Sequence, residues 1–168
     1  MVNSRRNPIP TIAVSILGTA SVVAAALSLS ATAGAEPPVP SNVWIQCSSF
    51  SGPNNAFPHP VGGCIARGQN DLGSGYTSRT APGTETIYFN APFLKGISLQ
   101  LTNIANGAPA EGTTCPADHP ARIGVSGVIS ATEPGTKQYD GSPVSATICA
   151  NATDFLLATG SSFTIYKK

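Results

Sequence analysis

The sequence predicts an all-β domain, an antiparallel β-sandwich of about eight short strands with two disulfides, preceded by a signal-peptide helix. Three observations support this prediction. The chain starts like an exported protein, it contains four cysteines, and it has a series of short segments in which apolar and polar residues alternate. No segment after the leader has a convincing helical period.

The start of the chain has the three parts of a secretory signal peptide. Arg5 and Arg6 precede a stretch without charge, residues 7–35, which closes on an A-x-A triplet at 33–35. A basic start, an apolar middle and small residues at the end predict cleavage before Glu36. We therefore expect a protein that is secreted or held in the cell envelope.

This leader divides the chain into three parts: a signal peptide at 1–35, a proline-rich lead at 36–42 and a single domain at 43–168. An uncleaved anchor is the alternative, because the apolar residues 12–29 are just long enough to span a bilayer. Their serines and threonines, and the cleavage site that follows, favour removal. We expect no stable membrane span after cleavage.

The charge balance limits the possible partners. The chain has nine Lys and Arg against eight Asp and Glu, and two of the cations, Arg5 and Arg6, lie in the leader. The remaining domain is nearly neutral and has no basic surplus to attract nucleic acid. Its abundant Thr, Ser, Gly and Pro are typical of exposed sheet surfaces and turns.

Four cysteines in an exported chain predict two disulfides, for which three pairings exist. We favour the pairing in sequence order, Cys47 with Cys64 and Cys115 with Cys149, because each pair encloses one local excursion of the chain. A cysteine metal site would need tight spacing such as C-x-x-C, which the sequence lacks.

Alternation of apolar and polar residues marks the strands. In residues 96–104, Ile97, Leu99 and Leu101 share one face and polar residues the other, as expected for a sheet with one wet side. Residues 80–84 (TAPGT) predict a type II turn. The predicted strands are residues 43–49, 76–80, 85–91, 96–104, 122–131, 144–150, 155–159 and 162–166.

Residues 52–63, with three prolines, are predicted as a loop inside the first cysteine pair. Short strands separated by frequent turns favour a two-sheet sandwich, with a closed barrel as the main alternative. Trp44 precedes Cys47 instead of lying between two cysteines, which argues against an immunoglobulin domain.

The two histidines are candidate metal ligands. His59 and His119 each precede a proline near a cysteine, and Asp118 precedes His119. If the disulfides bring these loops together, imidazole and carboxylate would suit zinc or copper. The spacing does not require this, so we expect ordinary loop residues and no cofactor.

The sequence favours a non-enzymatic domain. No G-x-S-x-G elbow occurs, since the segment around Ser126 misses that pattern. An even number of cysteines leaves no free thiolate, and most aspartates fall in turns, where their side chains bond the backbone. No catalytic residue is predicted.

Aromatic side chains give the best candidates for a binding surface. Tyr88 and Tyr139 are predicted on wet faces or turns, where tyrosines either contact a partner or pair across strands. Cell-wall carbohydrate or an extracellular protein would suit such a surface. We expect an extracellular binding or structural module; the alternative is a secreted metal-binding protein or enzyme that uses His59, His119 and Asp118.

Several features of the layout carry a resemblance: the alanine-rich leader end at 31–35, two spaced cysteine pairs, and the segments 73–77 (GSGYT) and 80–84 (TAPGT). In these the chain resembles small exported β-rich proteins of unknown function from mycobacteria and related actinobacteria. The resemblance implies an exported location and a β-rich class. It assigns no functional residue.

Overall fold

The computed structural model describes residues 40–67, 73–90 and 97–168. In these residues the chain forms nine β-strands and one turn of 3₁₀ helix at Lys137–Tyr139. The strands are β1 (Val43–Pro53), β2 (His59–Ala66), β3 (Gly73–Ala81), β4 (Thr84–Phe89), β5 (Ser98–Gly107), β6 (Ala121–Ser130), β7 (Pro143–Ala150), β8 (Asp154–Leu157) and β9 (Phe163–Tyr166). The predicted leader helix lies outside the described residues. None of the described residues forms a helix long and apolar enough to cross a membrane.

The sheet closes on itself. Strands β1 to β7 pair in sequence order, each antiparallel to the next. Strands β8 and β9 both lie between β7 and β1: β8 pairs with residues 51–53 of β1, and β9 with residues 43–47. These two strands occupy one position in the ring, one after the other, separated by residues 158–162, which we call the break. The fold is a closed eight-stranded antiparallel barrel with one extra strand.

The predicted β-sandwich is therefore wrong, and the error lies mainly in β2. This strand pairs with both β1 and β3 and so closes one side of the ring, but it begins within residues 52–63, predicted as a loop. Pro60 lies within it, although proline is unusual inside sheets. Gly63 has a φ of +56° at a register shift against β3, which is typical of glycine at a β-bulge.

The interior of the barrel is a packed apolar core. Side chains alternate along each strand, so that every second residue points inward. The interior side chains include Ile45, Phe50, Val61, Ile87, Phe89, Leu99, Leu101, Ile129, Phe155, Phe163 and Ile165, all buried. The alternation predicted at Leu99 and Leu101 is confirmed, as is the all-β class.

Both predicted disulfides are confirmed. Cys47 and Cys64 lie directly opposite each other on β1 and β2, with both residues fully buried. Cys115 lies in the long connection between β5 and β6, residues 108–120, and its disulfide to Cys149 ties this connection to the outer face of β7. A backbone bridge from Thr114 to Thr159 in the break adds a second tie.

Candidate functional site

A groove of about 470 Å³ opens on the outer face of the barrel beside the break. It lies between β6, β7, the start of the 108–120 connection and the break. Its volume falls in the range of small-molecule binding sites. Six hydroxyl side chains line it: Ser126, Ser145, Thr147, Ser161, Ser162 and Tyr166.

Strand alternation places these hydroxyls outside the barrel. Val144 faces inward, opposite the buried Ile165 of β9. Ser145 and Thr147 therefore point outward on β7, and Ser126 shares their face because it lies opposite Ser145 on β6. The groove is thus a feature of the outer wall, separate from the apolar interior.

Small residues give the groove its shape. The connection passes so close to β6 that a Cβ at Gly124 would collide with the carbonyl of Ala108. Gly160 turns the break with a φ of +82°, a conformation that side chains disfavour. Glycine at these two positions lets the walls approach each other while the space between them stays open.

The hydroxyls of the groove are held in place by neighbouring groups. The Thr147 backbone N–H donates to Ser161 Oγ over 2.9 Å, and the Ala110 N–H donates to Thr147 Oγ1 over 2.9 Å. Ser145 Oγ donates to Tyr166 Oη over 3.2 Å. These bonds join the connection, β7, the break and β9, so the polar atoms are oriented before any ligand arrives.

The groove carries no formal charge. Its lining residues include no Asp, Glu, Lys, Arg, His or Cys. General acid–base and thiol chemistry rely on those side chains near neutral pH. The arrangement can therefore hold a ligand by hydrogen bonds and contact.

The structure brings two of the three candidate metal ligands together. Nδ1 of His119 lies 3.2 Å from the Asp118 carboxylate, and Nε2 lies 3.4 Å from that of Asp154 on β8. Neither contact has straight hydrogen-bond geometry. We call these three residues the Asp-His-Asp clasp, because they link the 108–120 connection to β8.

The clasp changes the ionisation of its members. The Asp118 carboxylate is the largest cause that raises the pKa of His119, with a smaller contribution from Asp154. The Thr153 hydroxyl, which donates to Asp154 over 2.8 Å, is the main cause that lowers the pKa of Asp154. Both shifts favour the charged forms, and thus an ion pair.

His59 lies on the other side of the barrel wall. Its ring packs inside the barrel against Phe57, at 4.1 Å between centroids, and Phe155, at 4.9 Å, and Nε2 contacts the Pro53 carbonyl at 3.0 Å. Phe155 points inward, whereas the preceding residue, Asp154, contacts His119 outside. Strand β8 thus separates the two histidines. Within the described ranges, no group of three or more His, Cys, Asp and Glu is placed to hold a metal ion.

The two candidate tyrosines have different surroundings. Tyr88 lies on the outer face of β4 and stacks on Tyr76 of β3, with 5.1 Å between centroids and 24° between planes. Tyr76 is 37% exposed. Tyr139 is buried and packs edge-on against Trp44 at 5.5 Å, and Lys167 covers the Trp44 ring. Of the two candidate tyrosines, only Tyr88 therefore belongs to an accessible aromatic surface, which it forms with Tyr76.

The groove was not predicted from the sequence. Its hydroxyls come from three separate segments, and serine and threonine are common throughout the chain. One local sign existed: residues 158–162 (ATGSS) place small, polar residues between two apolar strand patterns. Such a segment indicates an interrupted strand, and an interruption in a barrel wall leaves space beside it.

Comparisons with known proteins give no match: no protein family, no characterised protein and no solved structure resembles the chain closely enough. The candidate site therefore rests on its geometry. The similarity in layout to exported actinobacterial proteins stays a prediction.

Proposed function

We propose that this protein is an exported, non-enzymatic binding module of the cell envelope or extracellular space. Its binding site is the groove beside the break, and its ligand is an uncharged, polar molecule such as a short stretch of carbohydrate chain. One observation carries the proposal: a small-molecule-sized groove lined by oriented hydroxyls and free of acidic and basic side chains.

The absence of charge in the lining favours a neutral ligand. A charged group entering the groove would lose water without gaining a countercharge, which is unfavourable. A polar neutral ligand would instead exchange its hydrogen bonds to water for bonds to Ser161 and Tyr166. Carbohydrates are neutral and rich in hydroxyls and ether oxygens, so they suit this lining.

The proposed location draws on two features. Two disulfides in a small β domain are consistent with an extracellular location, because disulfides persist in oxidising compartments. The leader at residues 1–35 has the pattern of a cleaved signal peptide. A carbohydrate ligand would be abundant at such a location, which suits a module of the cell envelope.

To test the proposal, the protein is produced by secretion from a bacterial host. It is then titrated with two neutral trisaccharides, cellotriose and the N-acetylglucosamine trimer. We expect amide chemical-shift changes confined to β6, β7 and the break. Substitution of the exposed Ser126 by tryptophan fills the groove and should abolish binding. Substitution of the exposed Ser98, which lies opposite Tyr88, by tryptophan is the matched control and should leave binding intact.

Two results would contradict the proposal. If neither sugar changed the amide chemical shifts, the groove would not be a carbohydrate site. Binding lost with S98W but kept with S126W would move the site to the second candidate surface, the stacked pair of Tyr76 and Tyr88, since exposed aromatic rings also bind sugars.

A further inference from the structure

We infer that the groove selects ligand groups that accept hydrogen bonds, above all the amide carbonyl of an N-acetylated sugar. This inference rests on the proposed function and adds a ligand class to it. It follows from the direction of the hydrogen bonds around three hydroxyls, Thr147, Ser161 and Tyr166.

Each of these three hydroxyls already accepts a hydrogen bond. Thr147 Oγ1 accepts from the Ala110 N–H, Ser161 Oγ from the Thr147 N–H, and Tyr166 Oη from Ser145 Oγ. A hydroxyl has one proton to donate and two lone pairs. Because a lone pair on each is occupied, each oxygen is oriented with its own proton left to donate. Ser161 and Tyr166 are partly exposed and present their protons to the groove, whereas Thr147, at 2% exposure, is the least accessible of the three.

Three nearby backbone carbonyls each already accept one hydrogen bond. The Ala110 carbonyl accepts from Thr113 Oγ1 over 2.7 Å. The Thr147 carbonyl accepts from the Ala158 N–H over 2.9 Å, and the Ala158 carbonyl from the Ser161 N–H over 3.0 Å. Ser126 and Ser145 donate to Ala105 and Tyr166 and so offer lone pairs. Near the break, however, the Ser161 and Tyr166 protons are free, and a ligand complements them with acceptors.

An amide carbonyl is the neutral acceptor that fits best. Its oxygen has two lone pairs and can receive two donors at once, whereas a sugar hydroxyl must also place its own proton. A peptide carries carbonyls too, but peptide recognition relies on pockets for side chains, and six of the thirteen residues that line the groove are glycine or alanine. An N-acetylated sugar combines the carbonyl with a polar, hydroxylated body.

The test compares three trimers with the same linkage and different groups at one ring position: the N-acetylglucosamine trimer, cellotriose and the glucosamine trimer. We expect the acetylated trimer to bind about tenfold more tightly than cellotriose, the effect of one or two added hydrogen bonds. The glucosamine trimer, measured at pH 6, should bind most weakly, because its ammonium groups donate and carry charge into an uncharged groove. An N-acetylated dipeptide amide is measured alongside.

Variants connect the preference to the donors. Tyr166→Phe removes one donor and should reduce the advantage of the acetylated trimer over cellotriose several-fold. Tyr88→Phe is the matched control, since it removes a tyrosine hydroxyl outside the groove; the preference should stay.

Three other outcomes would each overturn a different part of the proposal. Equal affinity for the three trimers would overturn the donor selectivity while leaving the groove as a carbohydrate site. Tighter binding of the dipeptide amide would overturn the sugar class. Failure of every trimer to bind would overturn the proposed function itself, which separates the two failures.

Discussion

The two disulfides of this barrel do different work. Cys47–Cys64 joins two neighbouring strands inside the barrel, where both residues are fully buried. Cys115–Cys149 lies on the outer face and ties the 108–120 connection to β7, with Cys115 partly exposed. The first therefore belongs to the core, and the second holds the connection whose residues Ala108 and Ala110 line the groove. In this fold, both cross-links contribute to stability, and the outer one also supports the candidate site.

The largest expected effect comes from removing the interior disulfide. Loop closure favours the outer disulfide, whose residues are 34 apart against 17, but only by about 0.6 kcal/mol. The C47A/C64A variant also leaves space where two fully buried sulfurs stood, and together these should cost about 4 kcal/mol of unfolding free energy. Denaturant unfolding of the oxidised proteins measures this, and a larger loss in C115A/C149A would contradict it.

Removing the outer disulfide should weaken both the barrel and the groove. In C115A/C149A the 108–120 connection can move within the folded state, which lowers the expected loss to about 3 kcal/mol. Because Ala110 then no longer holds Thr147 firmly, affinity for the N-acetylglucosamine trimer should fall about tenfold. Calorimetric titration measures this affinity. Unchanged affinity would show that the disulfide does not support the groove.

The sequence could predict those features that depend on residues close together along the chain. Alternation at Leu99 and Leu101 and the Pro82-Gly83 turn are local patterns, and the structure confirms them, with Gly83 at a φ of +71°. The disulfide pairing was predictable because each pair encloses one local segment. These features depend on residues close together in sequence.

Closure of the barrel and the groove depend on distant residues. Strand β2 was missed because Pro60 and Gly63 give it the composition of a loop, while its partners on β1 and β3 make it a strand. The segments 155–159 and 162–166 were both predicted as strands, yet nothing local shows that they share one position between β1 and β7. The groove exists only because they do.

The Asp-His-Asp clasp is a further, pH-dependent tie for the 108–120 connection. The raised pKa of His119 means that its contribution is complete below its ordinary value of 6.5 and is lost as pH rises through the folded-state pKa. The lowered pKa of Asp154 adds stability above its ordinary value of 3.8, lost as pH falls. The clasp should therefore be strongest between these two values.

This dependence should be clearest without the outer disulfide. In C115A/C149A we expect a higher melting temperature at pH 5.5 than at pH 8, and the substitution H119Q in the same background should remove most of that difference. Thermal unfolding followed by circular dichroism measures it. A pH difference of the same size with glutamine at position 119 would show that another group causes it.

The smallest effect is expected on the opposite part of the sheet, at the stacked tyrosines. Tyr88 gains from its cross-strand contact with Tyr76, and such aromatic pairs are worth about 0.5–1 kcal/mol. Y88A should lose this amount in denaturant unfolding, and Y76A/Y88A little more, because the stack is already broken. Neither variant should alter affinity for the N-acetylglucosamine trimer, since neither residue lines the groove. Reduced affinity in Y88A with a normal unfolding free energy would instead show that the tyrosine pair contacts the ligand. The binding surface would then extend beyond the groove to strands β3 and β4.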